Sequence, residues 1–147
     1  MERMFAERRF VIAAPRERIW DLIGRVTIDS LNLEGFNYED ERNFTALIRA
    51  KVGFISLPMH LKGEIADITP PQTLVTVLKV TGLRGMIRLS QKVTYTLNSV
   101  DTGKPEVSCK SAGEMMRGPI GIALTPVAKG FAMKVLADVE KLLRHLA

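Results

Sequence analysis

An α+β fold, in which a curved antiparallel sheet of six to seven strands wraps one long C-terminal helix, is the class this sequence predicts. Three observations carry it. Apolar residues recur at helical spacing at the end of the chain, alternating segments fill its middle, and turn signals separate those segments.

The helical stripe is Leu124, Val127, Ala128, Phe131, Val135, Val139, Leu142, Leu143 and Leu146. Steps of three and four residues put these on one face, while Lys129, Lys134, Asp138, Lys141 and Arg144 fall mostly on the other. Lys141, Arg144 and His145 stand near the end, where cations suit the negative pole of the helix dipole. A helix from about Gly118 to Leu146 follows. Fully burying about eight such side chains is worth on the order of 12–24 kcal/mol gross, an upper bound before entropy. Only a sheet is left to cover the stripe. Function therefore turns on whether sheet and helix close tightly or leave a space.

The other elements follow in order. Phe5 to Ala13 reads as a first strand ending in Phe10, Val11 and Ile12. Pro15 opens a helix, since a first helical residue needs no N–H. That helix presents Ile19, Trp20, Leu22 and Ile23 and is expected to stop at Gly24. A second short helix is expected over Thr27 to Leu31. Gly35 to Asp40 is weakly patterned. Asn43 to Val52 alternates, with Phe44, Ala46, Ile48, Ala50 and Val52 on one face. Leu57, Met59, Leu61, Gly63 and Ile65 form the apolar face of the next strand, opposite His60, Lys62 and Glu64. Thr69-Pro70-Pro71-Gln72 is a turn, because consecutive prolines cannot continue a ladder. Leu74 to Thr81 is rich in β-branched residues, and Gly82 to Gly85 turns the chain again. Ile87, Leu89, Val93, Tyr95 and Leu97 share a face that Gln91 interrupts. Asp101-Thr102-Gly103 is a hairpin signal. The last strand, Glu106 to about Met116, sets Val107, Cys109, Ser111, Gly113 and Met115 together, small enough to let something bulky cross the sheet.

With 147 residues, 46% hydrophobic and 25% charged, the chain is the size of one ordinary soluble domain, 1–147. A formal charge of +5 permits acidic partners without demanding them, since no long run of like charge appears. One cysteine, Cys109, excludes an internal disulfide and fits a reducing compartment. Charges in Met1 to Arg9 are wrong for a secretory leader. Ile120 to Leu136 is broken by Lys129, Lys134 and Pro126, too short and interrupted for a membrane span. A cytoplasmic location is expected.

Three stretches carry a family resemblance. Ile12-Ala13-Ala14-Pro15-Arg16-Glu17-Arg18-Ile19-Trp20 is a strand-to-helix entry. Lys51-Val52-Gly53-Phe54-Ile55 is followed by Leu61-Lys62-Gly63-Glu64-Ile65. Asp67-Ile68-Thr69-Pro70-Pro71 precedes a glycine-containing turn. With these, the chain resembles the helix-grip fold of the START-like (SRPBCC) superfamily, and within it most closely the carbon monoxide dehydrogenase G-like family. Members tied to the dehydrogenase often carry a hydrophobic extension thought to reach the membrane. This sequence ends at Leu146-Ala147, so anchoring by such a tail is not expected.

Few residues promise chemistry. His60 and His145 lie far apart in sequence without metal-ligand spacing, and His60 falls on a polar strand face. No metal or cofactor is expected. Cys109 on the inner face behaves as a small hydrophobe. No Gly-x-Ser-x-Gly turn is present, so no catalytic nucleophile is assigned. Gly82-Leu83-Arg84-Gly85 sits between strands, where a phosphate cradle is not expected. Glu64 and Glu114 fall on outward faces. Trp20 reads as a plug between the first helix and the sheet. Arginines crowd the N-terminal quarter, but acids interleave and no aromatic platform accompanies them, so nucleic acid is not an expected partner.

In the superfamily the ligand lies between sheet and helix. Carried onto this sequence, that resemblance implies a site built from Ile48, Met59, Leu61, Leu78, Leu89, Gln91, Tyr95, Met115, Leu124, Phe131 and Val135. Met59, Met115, Met116 and Met133 add flexible thioethers suited to an adaptable cavity. Gln91 or Tyr95 would orient the guest. Gly118, Gly121 and Pro126 would let the start of the helix shift to admit it. The first reading is a non-enzymatic carrier or sensor of a lipid, quinone or isoprenoid. The second, from the resemblance alone, is an accessory protein for maturation or localisation of a molybdenum-containing dehydrogenase. The third is an enzyme of the cyclase or dehydratase type.

Overall fold

The alternating segments become one sheet. The computed structural model describes residues 2–52, 54–101, 104–115 and 119–147. Its strands are β1 (Glu2–Val11), β2 (Glu34–Tyr38), β3 (Asn43–Val52), β4 (Ile55–Thr69), β5 (Thr73–Gly82), β6 (Ile87–Asp101) and β7 (Lys104–Met115). They pair antiparallel in the order β1-β7-β6-β5-β4-β3-β2, so a meander from β2 to β7 is closed by β1 along the β7 edge. Two helices complete the fold, α1 (Arg16–Leu31) and α2 (Pro119–Leu146). The sheet curves about α2, the α+β arrangement the patterning predicts and the helix-grip fold the resemblance implies.

Register explains which side chains meet the helix. Ile48 stands opposite Met59, Leu61 opposite Val80, and Leu89 opposite Met115, so alternate residues of five strands share one face. Phe44, Ala46, Ile48, Leu61, Leu78, Val80, Val93, Leu97 and Val107 are all buried there. His60, Glu64 and Glu114 are exposed, on the outward side that alternation gives them.

One expectation is corrected. The two short helices after the first strand are a single continuous helix, α1, of 16 residues. Gly24 does not stop it. A lone glycine inside a helix costs about 1 kcal/mol relative to alanine, and the buried stripe Ile19, Leu22, Ile23, Val26 and Leu31 runs through and past it. The helix ends instead at Asn32, left-handed at φ 51°, whose N–H donates to the Asp29 carbonyl (3.3 Å). The expectations on Gly53, Thr102-Gly103, Met116 and Gly118, and on the side chains of Ala50 and Val52, lie outside the described residues.

α2 runs through Pro126, which has no N–H for the preceding turn, and its two halves are held differently. Ala132, Leu136, Val139 and Leu143 in the C-terminal half are buried, packed with α1 and β1. Charges fasten the same half. Arg8 of β1 donates to Glu140 (2.6 Å), and Arg144 donates to the other Glu140 oxygen (2.8 Å) and to the Val11 carbonyl (3.1 Å). Arg18 of α1 reaches the Leu146 carbonyl (3.1 Å). Leu124, Val127, Ala128 and Phe131, in the N-terminal half, are only partly buried.

The β5–β6 connection is a short 3-10 turn, Leu83–Gly85. Leu83 (φ 49°), Arg84 (φ 56°) and Gly85 (φ 88°) are all left-handed in succession. Such a backbone costs a non-glycine residue about 1–2 kcal/mol, so this turn holds its side chains outward against a local preference.

Candidate functional site

Under the N-terminal half of α2 lies a cavity of about 620 Å³. Its floor comes from the sheet: Ile48 of β3, Leu57, Met59 and Leu61 of β4, Leu78 and Val80 of β5, Ile87, Leu89 and Gln91 of β6, and Met115 of β7. Its roof is Leu124, Val127, Ala128 and Phe131, with Leu31 from the end of α1. At ~30 Å³ per water-sized group, the volume is room for roughly twenty non-hydrogen atoms. That size is typical of small-molecule sites.

Close packing shapes the floor. Met59 lies across Gly82, where a Cβ would stand 2.8 Å from the Met59 Cγ. Gln91 is the polar group of the interior. Its amide nitrogen donates to the Ser111 hydroxyl on the neighbouring β7. That bond uses one of the two amide N–H groups, so the second N–H and the amide carbonyl are left for a guest.

The rim is charged and exposed. Asn32, Glu34, Arg49 and Lys134 mark where the cavity meets solvent. Arg49 Nε donates to Glu34 (2.9 Å), joining β3 to the start of β2. That hydrogen bond and the Glu34 charge raise the Arg49 pKa above its ordinary value. The guanidinium stays charged at any physiological pH.

Nine of the eleven residues expected at the site line this cavity: Ile48, Met59, Leu61, Leu78, Leu89, Gln91, Met115, Leu124 and Phe131. Two do not. Val135 is packed into the core where α2 presses on its neighbours. Tyr95 belongs to a second hollow of about 380 Å³ beneath α1, beside Thr27, Phe44, Leu74 and Val93. Its hydroxyl is 2.8 Å from Thr27 Oγ1, which is 2.7 Å from the Ile23 carbonyl. Threonine has one proton and a carbonyl only accepts, so the phenol is the donor in its pair. Burial first, aided by the neighbouring Cys109, pushes the Tyr95 pKa well above that of a free phenol. Tyr95 is thus a satisfied core residue that ties β6 to α1.

The expectation misses several wall residues. Val80 and Ile87 follow from strand alternation, and Val127 and Ala128 from the helical stripe. Leu31, Asn32, Glu34, Arg49 and Lys134 do not follow from any local pattern, because the way β2 and the end of α1 fold over the opening sets them there.

Other titratable groups stand apart from the cavity. Cys109 is fully buried, and burial first, then the Glu140 charge, against Arg8, push its thiol up to about 12. Among the described residues no cluster of three His, Cys, Asp or Glu side chains could hold a metal ion. Among them, too, no helix is long and apolar enough to cross a membrane.

Comparison with known proteins is informative at the level of fold. No family model matches the sequence, and no curated protein matches it. Solved structures do. A conserved protein from Geobacillus kaustophilus superposes with a TM-score of 0.71 at 13% identity, over 97% of this chain and 96% of that one. The ZhuI aromatase/cyclase from Streptomyces sp. R1128 gives 0.64 at 11% identity, over 98% and 95%. A START superfamily protein from Mycobacterium smegmatis gives 0.64 at 12% identity, over 96% and 94%. At such identities the likeness defines a class of architecture, the START-like helix-grip fold.

Proposed function

We propose that this protein binds and carries a hydrophobic small molecule, a lipid, quinone or isoprenoid, without transforming it. The observation that carries this reading is the 620 Å³ cavity under α2, whose interior, among the described residues, is apolar apart from the Gln91 amide. Affinity would come from apolar burial, at about 25 cal/mol per Å². The Gln91 carbonyl would accept from a hydroxyl or amide on the guest. The lone buried cysteine accords with work in the reducing cytoplasm.

Native mass spectrometry of the protein as purified, with solvent extraction of anything bound, tests the reading. A fluorescent fatty acid should also bind stoichiometrically and be displaced by a long-chain alcohol. Saturation at several equivalents, with displacement insensitive to Leu89→Trp, would remove the carrier reading.

The likeness to an aromatase/cyclase supports a second reading, a cyclase- or dehydratase-type enzyme using the same cavity. The acidic wall residue, Glu34, is exposed and paired with Arg49, and supports the carrier over the enzyme. The resemblance of the Gly63 and double-proline stretches to the carbon monoxide dehydrogenase G-like family supports an accessory role for a molybdenum-containing dehydrogenase. That role would use an outer surface, and co-purification with a large dehydrogenase is its test.

A further inference from the structure

Four of the exposed apolar side chains among the described residues gather at one end of the strands, while Phe5, Tyr38 and Met133 stand apart from them. Phe54 is fully exposed (109%), and Ile55 (62%), Met86 (57%) and Leu83 (44%) are largely so. Phe54 and Ile55 close the β3–β4 hairpin, where Val52 pairs with Ile55. Leu83 and Met86 flank the β5–β6 turn, where Gly82 pairs with Ile87. In an antiparallel meander every second turn closes the same end, so the β3–β4 and β5–β6 turns lie together. The contact of Met59 with Gly82 joins the two turns on the face that lines the cavity.

The turn segments themselves carry charge of one sign. Residues 51–59 and 82–92 contain no Asp or Glu but carry Lys51, Arg84, Arg88 and Lys92, and residues 119–137 of α2 are likewise free of acids. Arg84 and Arg88 are exposed, and the Arg88 guanidinium folds back to within 3.6 Å of the Cβ position of Gly85. Glu114, at the same end, is matched by Arg3 (3.9 Å). Clustered exposed apolar side chains mark interaction surfaces, and a cationic border selects an anionic one.

We propose that the two turns form a docking tip for an anionic lipid surface. Phe54, Ile55, Leu83 and Met86 enter the boundary between headgroups and acyl chains, while Arg84 and Arg88 meet lipid phosphates. Leu57 and Ile87, just behind the tip, belong to the cavity wall, so a docked molecule places its cavity next to the bilayer. Docking stands on the surface alone; passage of a guest through the tip rests on the carrier reading above.

Flotation of the full chain with vesicles tests it. Vesicles of mixed phosphatidylcholine and phosphatidylglycerol should carry the protein, those of phosphatidylcholine alone should carry much less, and added salt should release it. The exposed-site double variant Phe54→Ser/Met86→Ser should lose at least about tenfold in affinity. Arg84→Gln/Arg88→Gln should lose the preference for anionic vesicles. Both variants should keep the wild-type melting temperature and fatty-acid uptake from detergent-free solution. No flotation with anionic vesicles, or flotation unchanged by either pair, overturns the proposal. So does a concentration-dependent dimer in sedimentation that Phe54→Ser dissolves, since a second copy would then cover the tip. Flotation without fatty-acid uptake would retain docking and reject the carrier.

Discussion

Filling the cavity from its roof separates guest binding from folding. Ala128 is a partly buried wall residue on the N-terminal half of α2, one turn before Phe131. In Ala128→Phe an aromatic ring enters the hollow. Such a ring covers about 150–250 Å², surface a guest would otherwise use. At about 25 cal/mol per Å² the displaced contact is worth about 4–6 kcal/mol gross. A guest can still use the rest of the volume, so about half of that should appear, about 2–3 kcal/mol or roughly 30- to 150-fold in affinity. Stability should hold or rise by about 1 kcal/mol, because the ring fills space instead of displacing packed atoms. The assay pairs a fluorescent fatty-acid titration with a urea denaturation curve. Unchanged affinity would mean that the guest does not lie under α2. A fall in stability of more than about 2 kcal/mol would mean that the space itself is closed to a side chain.

Three further outcomes are expected. Gly63→Ala should destabilise by about 1–3 kcal/mol, because its Cβ would overlap the Phe44 ring, and Phe36 at 5.2 Å between ring centroids limits retreat of that ring. Phe44→Leu in the same chain should restore part of the loss, and a urea midpoint equal to wild type in Gly63→Ala would contradict the contact. Partial burial works against ionisation of Glu140, but the hydrogen bonds from Arg144 and Arg8 outweigh it and hold its carboxyl below the usual glutamate range. A lowered carboxylate contributes stability above its unfolded pKa and loses it as pH falls through the folded value. Glu140→Gln should thus cost about 1 kcal/mol at neutral pH, and the gap to wild type should close in acid well below the ordinary glutamate value. A gap independent of pH would show that the carboxylate charge is not what matters. Cys109 should resist a thiol reagent at about pH 8, labelling only as fast as the protein unfolds; rapid labelling of the native protein would contradict its burial.

Sequence pattern reaches a long way into this fold, and its failures have physical causes. Alternation alone puts Phe44, Ala46 and Ile48 inward, and helical spacing alone picks out the face of α2. Neither pattern says which half of a helix will pack on its neighbours and which will roof a cavity. That is decided across the fold, where Arg8 of β1 meets Glu140 and Phe10 supports Arg144 at 5.8 Å. Spacing therefore assigns Val135 to the cavity although it lies on the pressed half. Tyr95 shares a strand face with Leu89 and Gln91. At ~3.3 Å per residue it stands about 13 Å beyond Gln91, under α1 instead of α2. Gly24 looks like a stop because composition cannot show that the residues on either side bury the same stripe. The Glu34–Arg49 pair is out of reach because β2 is short and its register with β3 shifts between Glu34 and Asn37.

The division of α2 into a half that packs on α1 and β1 and a half that roofs the cavity has a consequence for how such a protein diversifies. Side chains that clamp the rod, from Ala132 to Arg144, are not those that surround the hollow, apart from Lys134 at its rim. Substitutions at Leu124, Val127, Ala128 and Phe131 can reshape the chamber while leaving the contacts of the C-terminal half intact. Selection for a new occupant and selection for a durable scaffold then act on separate letters of the same helix.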